Sequence, residues 1–431
     1  MVLSLYSFSM RAVKPLITAY LKRRQRAGKE SSSRFDERLG VSQCPRPKGR
    51  LLWVHAASVG EVQSALILIH KLLALYEGVQ VLVTTGTRSS AKMMETALPE
   101  GAFHQYYPVD HPEWVEAFLS HWSPDLILWM ESELWPNMLL AIQAREIPAI
   151  LINARLSPRS FRIWNLFKSA SRKVLRSFTL ILCQTDKDET FYRRLGAQNV
   201  EVSDNLKYSA APLPCDEAAL KTINGAFINR PCWVYASSHA GEEKMAVQIH
   251  ARLKNSIPDL LTVIVPRHPE RRTAIAQELD GLGLNIVFRG EDKILPGDDT
   301  DIYIADTMGE LGLFYRACPV AVIGRSFSDD GGGGHNPIEA AQLHCAVMHG
   351  PHVQNLQEIF DEMDVAGAAL RLDTSESLES HLHDLLTSAE KIEALQQKAY
   401  DFARRKEQVL ETVLEALHPT LDTLEIGRKA A

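Results

Sequence analysis

Glu61, Glu131 and Lys207 each follow a short apolar run, a place where a charged side chain can meet a ligand. Glu61 closes the segment His55-Ala56-Ala57-Ser58-Val59-Gly60-Glu61, whose small residues leave room for a substrate. A carboxylate there also suits simple pairing with a helix dipole, worth a few tenths to about one kcal/mol. Glu131 and Glu133 stand at i and i+2 before Pro136. They would share a face in an extended chain, but a helix opened by Pro136 turns the chain between them. Glu131, directly off the strand, is then nearer the ligand, and Glu133 is expected to support the helix. Lys207 taken alone reads as solvated surface.

The second half offers four segments suited to an anion. The run Gly331-Gly332-Gly333-Gly334-His335-Asn336-Pro337-Ile338-Glu339 joins a glycine loop to a helix start, with Asn336 at the N-cap, Pro337 first and Glu339 third. Glycines let backbone approach a ligand, and a helix N-terminus offers free N–H groups to a phosphate or ribose. An ordinary capped helix would use the same residues. Ser237, Ser238 and His239 put small hydroxyls before a helix. Pro266-Arg267-His268 puts a guanidinium fork after a strand, and Thr307-Met308-Gly309-Glu310 puts a glycine in a helical first turn.

Buried parallel strands would hold these residues. Apolar runs at 51–55, 79–84, 126–130, 149–152 and 180–183, then at 232–236, 261–265, 301–304 and 320–323, alternate with helical periodicity. That pattern predicts two doubly wound α/β units, with ligands beyond the carboxyl ends of the strands. The Pro-rich segment 209–216 reads as a linker, and 387–416 as a long helix. The expected domains are 1–33, 34–208, the linker 209–216, 217–386 and a helical segment 387–431.

Composition narrows the function. The chain has 431 residues, 45% hydrophobic, with six scattered cysteines and no CxxC pair, which points to a reducing compartment without a structural zinc. Residues 1–50 hold 12 Lys or Arg against 3 Asp or Glu, so a +9 segment precedes a body of −15 within a net charge of −6. An acidic body argues against nucleic acid; a basic segment suits an anionic membrane. Leu3, Leu5, Tyr6 and Phe8, then Leu16, Ile17 and Leu21, are interrupted by Arg11 and Lys14 and end at Lys22, Arg23, Arg24 and Arg26. This predicts an interfacial anchor, with a plain first helix of the fold as the alternative. Neither GxGxxG after a first strand nor GxxxxGK[ST] occurs, which disfavours dinucleotide oxidoreductases and P-loop NTPases.

At these residues the chain resembles the 3-deoxy-D-manno-octulosonic acid (Kdo) transferases of lipopolysaccharide synthesis. The matching blocks are Arg34-Phe35-Asp36-Glu37-Arg38-Leu39-Gly40, 55–61, 130–136, Asn153-Ala154-Arg155-Leu156-Ser157, 238–243, 266–271, 306–311 and 333–340. The resemblance implies a GT-B fold: two Rossmann-like domains facing a cleft, with the C-terminal helix returning to the first domain. It implies inverting transfer of Kdo from CMP-Kdo to the lipid A precursor (lipid IVA) at the cytoplasmic face of the inner membrane, with no nucleic acid partner. By match to the motifs, Glu61 is the general base, and Glu131 and Lys207 stabilise the transition state. Pro266, Arg267, Met308, Gly309, Glu310, Asn336, Pro337, Ile338 and Glu339 hold CMP, with Ser238, His239 and His268 as further donor contacts.

Neither a cofactor nor a metal is expected, because the acidic pairs Asp298-Asp299 and Asp329-Asp330 fall in loops. A UDP-sugar transferase or epimerase, and a membrane-binding module on a degenerate transferase fold, are the alternatives. Two departures stand out: Asp204-Asn205 replaces the family's usual Gly-Ser pair, and Arg325 replaces a glycine.

Overall fold

The computed structural model describes residues 1–328 and 330–429; Asp329, half of one acidic pair above, lies outside them. Two compact units divide the chain: Met1–Ala210 with Lys406–Ala431, and Ala211–Arg405.

The first unit holds β1 (Arg50–His55), β2 (Val79–Thr85), β3 (Ala102–Tyr106), β4 (Leu126–Met130), β5 (Ala149–Ala154), β6 (Leu180–Cys183) and β7 (Val200–Val202). They form one sheet in the order β3-β2-β1-β4-β5-β6-β7, and every neighbouring pair is parallel. Every residue of β4 and β5 is buried, as strands covered by helices on both faces require. Alternation divides the core. Leu51, Trp53, Ile127 and Trp129 pack in one layer, and Leu52, Val54, Leu128 and Met130 in the other. The chain reverses its direction of winding between the adjacent strands β1 and β4.

The second unit repeats the scheme with β8 (Cys232–Ser238), β9 (Leu261–Pro266), β10 (Ile286–Phe288), β11 (Ile302–Ile304), β12 (Val320–Ile323), β13 (Ala346–His349) and β14 (Ala369–Arg371). The order is β10-β11-β9-β8-β12-β13-β14, again parallel throughout. Its switch point lies between β8 and β12.

The last long helix runs Ala389–Thr423 and passes through Pro419, beyond the end expected at 416. Proline removes one rung of the helix ladder, but Leu414, Leu417 and Leu421 stay buried against the first unit's core and hold the helix together. Residues from Lys406 onward belong to that unit, and 389–405 to the second.

Residues at the N-terminus form helices Val2–Ala12 and Lys14–Arg26. Polar contacts dock them on the first unit: the Tyr6 hydroxyl donates to Asp110 (3.0 Å), and Lys14 pairs with Glu113. Leu5, Phe8, Leu16 and Tyr20 remain exposed. No helix of the described residues is long and apolar enough to cross a membrane.

Candidate functional site

Glu61 and Glu131 leave the adjacent strands β1 and β4, whose ends are in register at His55 and Trp129. Parallel strands end on one edge of the sheet, so the switch point brings the two carboxylates together. Ser58 is the N-cap of helix Val59–Leu75, its hydroxyl accepting from the Glu61 N–H, and the Glu61 carboxylate in turn accepts from the Ala57 N–H at 2.8 Å. Glu61 therefore does serve the helix start, as the simpler reading of the sequence had it. It is also 7% exposed. Burial pushes its carboxyl above the ordinary range, and the charge of Glu131 adds to the rise; the Ala57 N–H, Ser58 and His55 oppose it.

Glu131 is held at φ 57°, the left-handed region that costs a residue with a Cβ about 1–2 kcal/mol. The turn aims its side chain off the strand end. Burial raises its pKa too, and Arg155 and Lys207 pull it back. Lys207 rides on a short 3₁₀ turn, Leu206–Ser209. Asn153, at the end of β5, accepts from the Leu206 N–H (3.0 Å), and Asn205 accepts from the Lys207 N–H (3.0 Å). Two carboxylates, one lysine and one arginine thus share one electrostatic site.

Arg155 lies in a block that matches the family, but the resemblance assigns it no role. Its place directly after β5, like that of Arg267 after β9, was the signal. Glu133 does not support the helix opened by Pro136. Asp110 does, accepting from the N–H groups of Asn137 (3.0 Å) and Met138 (2.8 Å). Glu133 instead accepts from the Trp135 indole (2.8 Å) and lies 3.6 Å from the buried His55.

Both departures from the family pattern fall where a glycine would be natural. Asp204 has φ 67° and Arg325 φ 59°. Each is tied down by charge: Asp204 bonds Lys406 at 2.5 Å, and Arg325 bonds Asp330 at 3.1 Å. The Asp204 pair also fastens the turn that carries Lys207 to the C-terminal helix, where Ser209 donates to the Lys406 carbonyl (2.7 Å).

In the second unit the four anion-friendly segments leave β8, β9, β11 and β12, which are neighbours in the sheet. Three of them already carry an internal anion. At β8, Ser238 is fully buried and its hydroxyl donates to Glu243, which also binds Arg271. Glu242 accepts the N–H groups of His239, Arg325 and Phe327. The expected role of Ser238 as a phosphate contact is therefore closed to its hydroxyl. At β11, Gly309 precedes helix Leu311–Ala317 at φ 80° and is not in its first turn. Glu310 is gripped by Arg289 (2.7 and 2.9 Å), which, against burial, holds it down at about 2. It shapes the loop; what faces outward there is Met308, 72% exposed. At β12, Asp330 meets Arg325 and lies 3.3 Å from His239.

β9 is different. Arg267 is exposed and, among the described residues, makes no ion pair; only its N–H is used, on the Ser238 carbonyl (3.0 Å). His239 gathers His335 (Nε2 to Nε2, 3.1 Å) and His268 (rings 5.7 Å apart) around the same edge. Burial, with the nearby cations, lowers His335 to about 4, so this histidine pair is neutral near pH 7. Asn336 accepts from the Ile338 N–H (3.1 Å) and donates to Glu339 (3.3 Å). The helix starts later than expected: it is only Ile338–Gln342, with Pro337 rather than Asn336 at its N-cap and Glu339 second rather than third, so its dipole is small. Two of the glycines face the chain's own atoms, a Cβ at Gly332 lying 1.9 Å from the Arg325 guanidinium and one at Gly333 2.3 Å from the Gln354 backbone nitrogen, whereas nothing lies within 4 Å of a Cβ at Gly331. Backbone packing requires glycine at Gly333.

Residues 33–210 match a family model described as 3-Deoxy-D-manno-octulosonic-acid transferase (kdotransferase). Over 415 residues the chain is 31% identical to the 3-deoxy-D-manno-octulosonic acid transferase of Rickettsia bellii, spanning 96% of this chain and 98% of that one. The chain belongs to the Kdo transferase family. The Haemophilus influenzae Kdo transferase is likewise 31% identical over 427 residues, 97% of this chain and 98% of its own. The UDP-GlcNAc 2-epimerase of Neisseria meningitidis, solved bound to UDP-GlcNAc, aligns with 85% of this chain and 100% of its own at 14% identity and a TM-score of 0.52. That likeness is one of fold, and the paired Rossmann-like units are those of the GT-B class. The protein is a glycosyltransferase that handles Kdo.

Proposed function

We propose that this Kdo transferase moves Kdo from CMP-Kdo to a hydroxyl of the lipid A precursor (lipid IVA), with inversion at the anomeric carbon and Glu61 as general base. The observation that carries this reading is the pairing of Glu61 and Glu131 at the β1/β4 switch point, with Lys207 and Arg155 beside them. Glu61 takes the proton of the acceptor hydroxyl as its oxygen bonds the anomeric carbon; the bond from that carbon to the phosphate oxygen breaks, and its electrons leave with CMP. Burial keeps Glu61 more basic than an ordinary carboxylate. Glu131 together with Lys207 offsets charge developing at the reacting carbon and oxygen.

On the donor side, Arg267 is the free fork for the CMP phosphate, and the neutral histidine pair offers polar groups without adding charge. Asn336 and Glu339, and the backbone of Met308 and Gly309, complete the candidate nucleotide contacts, with Pro266, Pro337 and Ile338 framing them. The donor residues and Glu61 belong to different units. The exposed apolar residues and cations of 1–26 suit work at the cytoplasmic face of the inner membrane.

The anomeric configuration of the product, read by NMR, tests the mechanism: inversion relative to CMP-Kdo is expected, and retention would overturn a single general base. Thermal shift on CMP but not on UDP or UMP is the matching result for the donor; the reverse preference points to a UDP-sugar enzyme.

A further inference from the structure

Lys207 follows β7, an edge strand of three residues that pairs only with β6 and leaves Val202 exposed. A strand so short and so thinly covered holds the turn after it weakly, and side chains must fix that turn instead. They do so from two directions. On the sheet side, Asn153 accepts the Leu206 N–H, and Asn205 donates to the Gln184 amide oxygen at 3.3 Å. Gln184 donates in turn to the Asn153 carbonyl at 3.0 Å. On the other side stands Lys406. Its ammonium donates to one oxygen of Asp204, whose other oxygen accepts the Asn205 N–H at 2.6 Å, and Asn205 accepts the Lys207 N–H. One chain of bonds thus runs from Lys406 to the backbone of Lys207, and Ser209 closes the loop on the Lys406 carbonyl.

Neither charged residue is demanded by the local fold. Asp204 is held at φ 67°, where glycine would escape the Cβ penalty. Lys406 is 5% exposed, on a helix that also buries Phe402, Ala403 and Val409 around it. An apolar side chain there would avoid the cost of desolvating an ammonium. A buried ion pair gains little stability over apolar packing, but it is satisfied in one arrangement only, so its gain is geometric. Its place in the chain fits that gain. The chain passes between its two units twice, after Ala210 and after Arg405. Ser209 lies one residue from the first passage and Lys406 on the second, so the turn of Lys207 is tied where both begin. Lys207 is near enough to Glu131 for its charge to oppose the burial that raises that carboxyl.

We propose that Asp204 and Lys406 are positioning residues for Kdo transfer: their ion pair, relayed through Asn205, sets where the Lys207 ammonium stands relative to Glu131. This rests on the charge-stabilising role proposed for Lys207 and extends it to two residues that act only through it.

Steady-state transfer from CMP-Kdo to the lipid A precursor by the full-length protein separates positioning from a merely structural tie. Asp204→Gly with Lys406→Met removes both charges together, leaves no buried ammonium unpaired and puts glycine in the left-handed turn, so the fold should hold. Its kcat should fall by roughly 10²-fold, the cost of displacing a catalytic group by about 1 Å, while KM for CMP-Kdo and the melting temperature stay near wild type. Asp204→Asn keeps the turn and an oxygen for the Asn205 N–H, loses only the charge, and should lower kcat in the same sense. Added to Lys207→Met, the double replacement should cost nothing further, because the pair acts through Lys207. Wild-type kcat or a lost fold in both Asp204 variants, or a loss that multiplies with that of Lys207→Met, would overturn the inference. A fully active Lys207→Met would instead overturn the role of Lys207 itself, and the positioning role with it.

Discussion

Replacing Glu61 with Gln separates the two tasks that the structure gives this side chain. The glutamine oxygen can still accept the Ala57 N–H that Glu61 accepts at 2.8 Å, and the Ser58 cap on the Glu61 backbone N–H is untouched. The fold should therefore hold, with a stability change within about 1 kcal/mol, a typical value for one hydrogen bond. What disappears is the proton acceptor. Losing a positioned base costs about 10²–10⁴-fold, or roughly 2.7–5.5 kcal/mol of transition-state stabilisation. Single-turnover transfer measures this loss, and calorimetry with CMP should report unchanged affinity. The pH profile adds a second signature. A base works deprotonated, so wild-type kcat/KM must fall as pH drops through the raised pKa of Glu61, and that acid limb must vanish in the residual activity of the variant. A variant within threefold of the wild-type rate, or one that has lost CMP binding or its fold, would refute the assignment.

Glu131→Gln removes the negative charge that raises the Glu61 pKa, so the acid limb of the profile should move to lower pH, along with a lower kcat. Arg267→Met should weaken CMP binding by about 10–150-fold in calorimetry, the worth of a charge-assisted bond, without lowering the melting temperature, because the guanidinium holds no intramolecular ion pair among the described residues. Arg289→Met leaves Glu310 without its bidentate partner and should destabilise the second unit by about 3–5 kcal/mol in urea unfolding at neutral pH. Because Glu310 sits at about 2 rather than the 4.5 of a free carboxyl, this stability is fully present above pH 4.5 and lost as pH falls through about 2; the gap between variant and wild type should close over the same window.

Continuous apolar runs made most of the sheet framework legible: β4, β6 and β12 end where those runs end. β3, β10 and β14 were missed because edge strands are half covered; β3 also carries polar residues, Ala-Phe-His-Gln-Tyr, and β10 and β14 are only three residues long. β13 is internal and was missed too, although β6 and β12 are no longer than it is. The strand-end rule located the carboxylates at β1 and β4 and the arginine at β9. It could not show that Ser238 and Glu310 would be consumed by partners 5 and 21 residues away in the chain, because Ser238 meets Glu243 only once the helix after β8 turns back on the strand end, and Glu310 meets Arg289 only once β10 and β11 lie side by side. Backbone sign was also hidden. Asp204 and Arg325 read as losses of a glycine, whereas in the fold each keeps the left-handed turn and adds an ion pair to hold it.

Mass spectrometry of the lipid after incubating purified protein with CMP-Kdo and the tetraacylated lipid A precursor tests the proposed transfer most directly. The account predicts a lipid heavier by at least one Kdo residue with wild-type protein, and almost none over the same time with Glu61→Gln. An unchanged lipid mass with demonstrably intact donor, or equal product from both proteins, would contradict it.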